Sequence, residues 1–206
     1  MAADQKWLDW AMKLQSIAQA GLFYGKDVYD RERYEQIRDI SAEMLSYRSE
    51  LPVETVKTLF CNEVGYQTPK LDTRAAIFQN EKILLVQENN GTWSLPGGWV
   101  YLFESIRSNT EKEVKEEAGL DVRASRIIAI QDRDKHNQPR YAYGVCKVFV
   151  LCELLGGRFE ENIETIGFSY FGLDELPRLA TEKNTKEQIE MCFTAFRAER
   201  WDTLFD

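Results

Sequence analysis

Positive charge is what this chain is short of. It has 206 residues with 26 Lys and Arg against 34 Asp and Glu, a net charge of −8. Nonspecific nucleic-acid binding relies on basic patches, so the acidic balance disfavours it. A small phosphorylated ligand is not excluded, because bound cations reverse a local field. Cysteines are few as well. Cys61, Cys146, Cys152 and Cys192 form no close pairs of metal-ligand spacing, and they read as small buried hydrophobes in a reducing compartment. No apolar run approaches membrane-spanning length. The start, Met1-Ala2-Ala3-Asp4, lacks a basic region followed by an apolar one. The expected location is therefore cytoplasmic. Repeats and low-complexity segments are absent too. With 44% hydrophobic and 29% charged residues, the composition is that of an ordinary globular protein with material for one large or two small domains.

Two textures divide the chain. Up to about residue 65, apolar residues recur at helical spacing: Trp7, Leu8, Ala11, Leu14, Ile17 and Ala18, then Tyr34, Ile37, Ile40, Met44 and Leu45. Pro52 suits the first turn of a third helix carrying Val53, Val56, Leu59 and Phe60. Three short amphipathic helices make only a thin core, so their apolar faces are expected to pack on the second domain or on another copy of the chain. Beyond a linker at Tyr66–Pro69 the pattern turns to strands. Leu71–Phe78 and Lys82–Gln87 read as a hairpin, Val122–Asp132 and Tyr141–Glu153 as a second pair, and Ile166–Phe171 as a short strand. A helix over about Glu104–Ala118 and a closing helix from Asn184 complete the order. The expected architecture is an α/β or α+β sandwich at residues 67–206 behind an all-α domain at 1–66.

Within the second region, Glu113, Glu116 and Glu117 are related as i, i+3 and i+4, so their side chains share one helical face. Like charges packed that way repel, and a hard divalent cation with oxygen ligands removes the penalty. A solvated acidic face would not also place Gly98 and Gly119 at fixed distances on either side.

This stretch resembles the Nudix box, a Gly, five residues, a Glu, seven residues, then Arg-Glu-apolar-X-Glu-Glu-X-Gly-apolar. Gly98, Glu104, Glu113, Val114, Glu116, Glu117, Gly119 and Leu120 fall at the matching positions. Lys112 stands where the family usually has Arg, and Phe103 where a Gly often precedes the Glu. The first 65 residues resemble the helical domain attached to one bacterial branch of that family, which includes CDP-choline pyrophosphatases of bacilli. The resemblance implies the Nudix fold and hydrolysis of a nucleoside diphosphate linked to a group X, with CDP-choline giving CMP and phosphocholine as the first substrate and ADP-ribose as the alternative. It implies Mg²⁺, with Mn²⁺ as substitute, on Glu113, Glu116 and Glu117, aided by the backbone at Gly98 and by Glu104, which has helix capping as its other role.

Glu164 is the general-base candidate from a later loop, and the box glutamates are the catalytic set. Arg74 and Arg133 or Arg140 are candidates to fork onto phosphate oxygens. Trp99, Tyr101 and Tyr143 could stack a base or face a quaternary ammonium, and His136, the one histidine, is a candidate substrate contact. A homodimer is expected. Two further readings share the motif: RNA processing, disfavoured by the net charge, and a ligand sensor, disfavoured because the box keeps its Glu residues.

Overall fold

The structure is a computed structural model that describes residues 3–158 and 165–206. It divides into two compact units, residues 1–69 and 70–206.

The first unit is helical. α1 (Ala3–Tyr24) and α2 (Val28–Ser49) are 22 residues each, longer than the short helices the sequence suggests, and α3 (Val53–Phe60) follows. The turn between the first two is set by Asp27, whose carboxylate accepts from the Tyr29 and Asp30 amides at 3.0 Å. The long pair is tied by the Ser41 hydroxyl donating to the Ala11 carbonyl at 2.6 Å and by the Trp7 indole donating to that of Met44 at 3.2 Å. α3 ends at Phe60, the last of the apolar residues that the sequence pattern placed on it.

The second unit is a mixed sheet with a helix on each face. Its elements are β1 (Lys70–Gln79), β2 (Lys82–Glu88), β3 (Trp93–Ser94), α4 (Ile106–Ala118), β4 (Leu120–Asp132), α5 (Arg133–His136), β5 (Val145–Gly157), β6 (Thr165–Phe171), α6 (Lys186–Arg197) and β7 (Leu204–Phe205). The order β3-β2-β1-β5-β4-β7, with β6 on β2, puts β1 parallel to β5 at the centre. Alternation along β1 decides the faces. Ala75 and Ile77 join Val148, Val150 and the α4 residues Val114 and Ala118, whereas Ala76 joins Phe149, Ile128 and the α6 residues Ile189, Cys192 and Phe193.

Element ends differ from expectation where side chains cap them. α4 begins at Ile106 rather than Glu104, because the Ser105 hydroxyl accepts from the Ser108 amide and the Ser108 hydroxyl from that of Ser105. α6 begins at Lys186 under a Thr185–Gln188 box, two residues later than Asn184. Gly156 and Gly157 extend β5 past the Glu153 end suggested by the sequence, beside Leu120 and Asp121 across a bulge. The polar segment from Asp132 holds the single turn α5, and the second strand of that pair starts at Val145, not Tyr141.

β1 is paired to β2 only at its far end, through Phe78 and Gln79. Its first half is left with an open edge, and the Pro96–Val100 segment fills it. The Thr73 amide donates to the Gly98 carbonyl at 2.9 Å, that of Ala75 to Pro96 at 2.8 Å, and that of Val100 to Leu71 at 2.9 Å. This pairing carries the glycine loop to the base of α4.

Candidate active site

A cavity of about 440 Å³ opens where the first half of β1, the glycine loop, α4, α5 and the loop before α6 meet. Gly97 is what lets the loop lie so close to β1. Its φ is +141°, and a Cβ there would sit 1.9 Å from the Thr73 carbonyl oxygen. Gly98 serves the other side, where a Cβ would come within 2.7 Å of a Glu113 carboxylate oxygen. α4 is held in register by Asn109, fully buried, whose amide donates to the Thr73 hydroxyl at 2.9 Å and whose carbonyl accepts from the Tyr101 amide at 3.1 Å.

Glu113, Glu116 and Glu117 all border this cavity. Glu117 is the buried one, and its carboxylate accepts from the Gly97 amide at 2.9 Å. Burial pushes its pKa up to about 7, against the pull of Arg74 and of that amide. Lys112 lies on the outer pair, 2.8 Å from Glu116 and 3.6 Å from Glu113, so one cationic group already bridges two of the three. Among the described residues no group of three Asp, Glu, His or Cys converges tightly enough to hold an ion as it stands. The chemistry of the donors nonetheless fits a hard cation: three carboxylates of one helical face in one cavity, beside a glycine backbone that an ion can approach.

The cavity floor holds charge of the opposite sign. Asp72 and Lys147 are register partners across the parallel strands, and Lys147 Nζ lies 3.0 Å from the Asp72 carboxylate. Arg74, two residues along the same face, gives Asp72 two bonds at 3.1 and 2.8 Å and the Leu95 carbonyl one at 3.3 Å. All three are buried. Burial would raise the Asp72 pKa, but Arg74 and Lys147 outweigh it and hold the carboxyl below its usual range. Burial, then the Arg74 charge, bring Lys147 down to about 7 despite Asp72. Lys147 also donates to the Lys183 carbonyl. That contact and the Asn184 side chain, which accepts from the Leu95 amide at 2.8 Å, fix the loop carrying Glu182 and Lys183 to the cavity wall. The lining thus pairs five cationic groups, on Arg74, Lys112, Arg133, Lys147 and Lys183, with five acidic ones, on Asp72, Glu113, Glu116, Glu117 and Glu182, inside a protein of net charge −8.

Of the residues singled out in the sequence, Gly98, Trp99, Arg74 and Arg133 stand with the three glutamates at this cavity. Five others do not border it. Glu104 donates its amide to the Tyr101 carbonyl in the turn before α4, and the cap is Ser105 instead. Tyr101 is 63% exposed outside the cavity. Tyr143 packs behind the lining residue Tyr141, with ring centroids 5.4 Å apart. His136 lies on the exposed side of α5, 2.5 Å from the Asp206 carboxylate. Arg140 reaches Asp134 at 3.2 Å. Glu164 lies outside the described residues.

Asp72, Lys147, Glu182 and Lys183 were not singled out by sequence reasoning. Asp72 and Lys147 carry a signal that could have found them, a charge inside an otherwise apolar strand pattern.

Comparison with known proteins agrees with this geometry. Residues 69–192 match the model of the NUDIX domain, and residues 5–60 match that of a UDP-X-like, N-terminal oligomerisation domain. YjhB of Bacillus subtilis (strain 168), which carries a provisional ADP-ribose pyrophosphatase name, is 44% identical over 98% of this chain and 97% of its own length. Among solved structures, an ADP-ribose pyrophosphatase from Streptococcus suis 89-1591 is 60% identical, with a TM-score of 0.64, over 68% of this chain and all of that one. A UDP-X diphosphatase is 34% identical, also with a TM-score of 0.64, over 97% of this chain and 98% of that one. With its box carried into a charged cavity and matches that span nearly its whole length, the chain belongs to the Nudix hydrolases.

Proposed function

We propose that this cavity hydrolyses the diphosphate of a nucleoside diphosphate–X compound, using Mg²⁺, or Mn²⁺ in its place, held by Glu113, Glu116 and Glu117 with the glycine-loop backbone. The observation that carries the reading is the opposition of charge in one cavity: box carboxylates on α4 against the buried Arg74–Asp72–Lys147 cluster. A diphosphate is polyanionic and needs neutralisation and alignment more than covalent help. When bound, the divalent ions draw charge off phosphoryl oxygens and acidify a bound water. The chain's own part is to hold Glu117 in place through the Gly97 amide, to present a net positive floor, and to take the proton lost by the attacking water. Glu164 remains the base implied by resemblance, and Glu182 is the described carboxylate available to the same cavity. Gly98 offers its carbonyl with one lone pair already committed to Thr73.

The names of the relatives favour ADP-ribose over CDP-choline as the first substrate to test, and UDP-linked compounds belong in the same series. CDP-choline keeps one specific support, the exposed ring of Trp99 at the cavity, which suits a quaternary ammonium. A panel of ADP-ribose, UDP-sugars and CDP-choline with Mg²⁺ in ¹⁸O-labelled water gives both substrate and phosphorus attacked. Label in the phosphate of either product supports the reading, and no turnover of any member overturns it.

A further inference from the structure

Two guanidinium groups border the cavity, and the fold uses them differently. Arg74 gives its Nε–Nη2 edge to Asp72. Arg133 is fully buried and is held by its other nitrogen. Nη1 donates to the Pro139 carbonyl at 2.7 Å and to the Asp134 carboxylate at 3.2 Å, and the guanidinium lies face-on over Tyr141, 3.4 Å from the ring centroid. Its Nε and Nη2 are buried with no hydrogen-bond partner among the described residues.

That edge carries two parallel charged donors, the pair that accepts two oxygens of one phosphate or carboxylate. Leaving them unmade is costly in a buried setting. The group is also braced against swinging away. Asp132 caps α5, the Asn137 amide donates to the Arg133 carbonyl at 2.8 Å, and the Asn137 side chain is bonded to the Thr181 carbonyl and to Gln188.

We propose that the Nε–Nη2 edge of Arg133 seats one phosphate of the substrate, taking two non-bridging oxygens bidentately and doing so without help from the metal. The choice of phosphate rests on the diphosphate reading above. Arg133 is thereby a binding group whose geometry, more than its charge, sets affinity.

The test uses inorganic pyrophosphate and the full chain in a chelator, so that no metal contributes. Calorimetry is expected to show binding to the wild type that weakens roughly tenfold or more in both Arg133→Lys and Arg133→Gln, because Lys keeps the charge and loses the fork. In turnover assays with metal, Arg133→Lys raises KM by a similar factor and changes kcat much less. Should the variants fail to fold, the ¹⁵N–¹H resonance of Arg133 Nε in the wild type is read instead, and it shifts on titration with pyrophosphate. Unchanged affinity in a folded Arg133→Lys, or an unmoved Nε resonance, overturns the proposal and leaves ordered water on that edge. A shifting resonance in a protein that cuts no member of the panel keeps this proposal and sinks the reading above.

Discussion

Glu117 joins two demands that conflict in water-free surroundings: it is buried, and the proposed chemistry needs it charged. The fold pushes its pKa up to about 7 by burial, against the pull of Arg74 and of the Gly97 amide that donates to it. Glu117→Gln keeps the shape and an oxygen facing the Gly97 amide while removing the charge. Turnover at saturating Mg²⁺ is expected to fall about 10²-fold or more, as when one well-placed electrostatic group is lost from an active site. The melting temperature in chelator is expected to stay the same or rise, since neutralising a poorly solvated carboxylate relieves burial. Steady-state kinetics and calorimetric melts check both. Glu113 and Glu116 were legible as partners of Glu117 from spacing alone. The Lys112 bridge between them was not, because a lysine side chain can point several ways from the same position.

The glycine loop is the element on which the site depends, since it is a strand substitute as well as a connection. It completes the open edge of β1 and simultaneously meets α4, so both glycines face backbone or carboxylate where a methyl group would be. Gly97→Ala combines a left-handed φ with a 1.9 Å clash against the Thr73 carbonyl. The loop must shift, and the cost is expected to be about 2 kcal/mol or more, since a clash adds to the strain of the backbone position. Urea titration reads the stability loss, and activity is expected to fall with it because the Gly97 amide leaves Glu117. The sequence marked Gly98 as special through motif spacing. It gave no sign of Asn109, whose contacts to Thr73 and Tyr101 clamp α4 to the sheet, because an Asn in a helix reads as a surface residue. Caps show the same limit on a small scale: Ser105 and Thr185 settle helix starts that periodicity places only to within a residue or two.

At the scale of the whole molecule, the first unit leaves Trp10, Ile17, Phe23, Tyr24, Ile40 and Leu59 each more than two-fifths exposed. Its match to an oligomerisation-domain model gives these faces a use. We expect a homodimer held through residues 1–69, since exposed apolar surface on this scale marks association. Light scattering at micromolar concentration is expected to give twice the 24.0 kDa chain mass, and a monomeric mass would contradict it. The helical character of this unit was plain from periodicity, although its helices are longer than the pattern suggested. Spacing reveals where apolar faces recur, whereas length is set by where a cap such as Asp27 interrupts the backbone.

By itself, the sequence determined what is local: the order of the longer strands and helices, the box with its three glutamates on one face, and a hinge of composition near residue 66. Those follow from periods of 3.6 and 2 and from fixed spacings, which need no knowledge of neighbours. Only the tertiary structure decided which distant side chains share the cavity. It paired Asp72 with Lys147 across parallel strands 75 residues apart in sequence, consumed the Arg74 fork, left that of Arg133 open, and turned His136 toward Asp206. Strand register and burial fix those partnerships, and neither is written in any short stretch of chain.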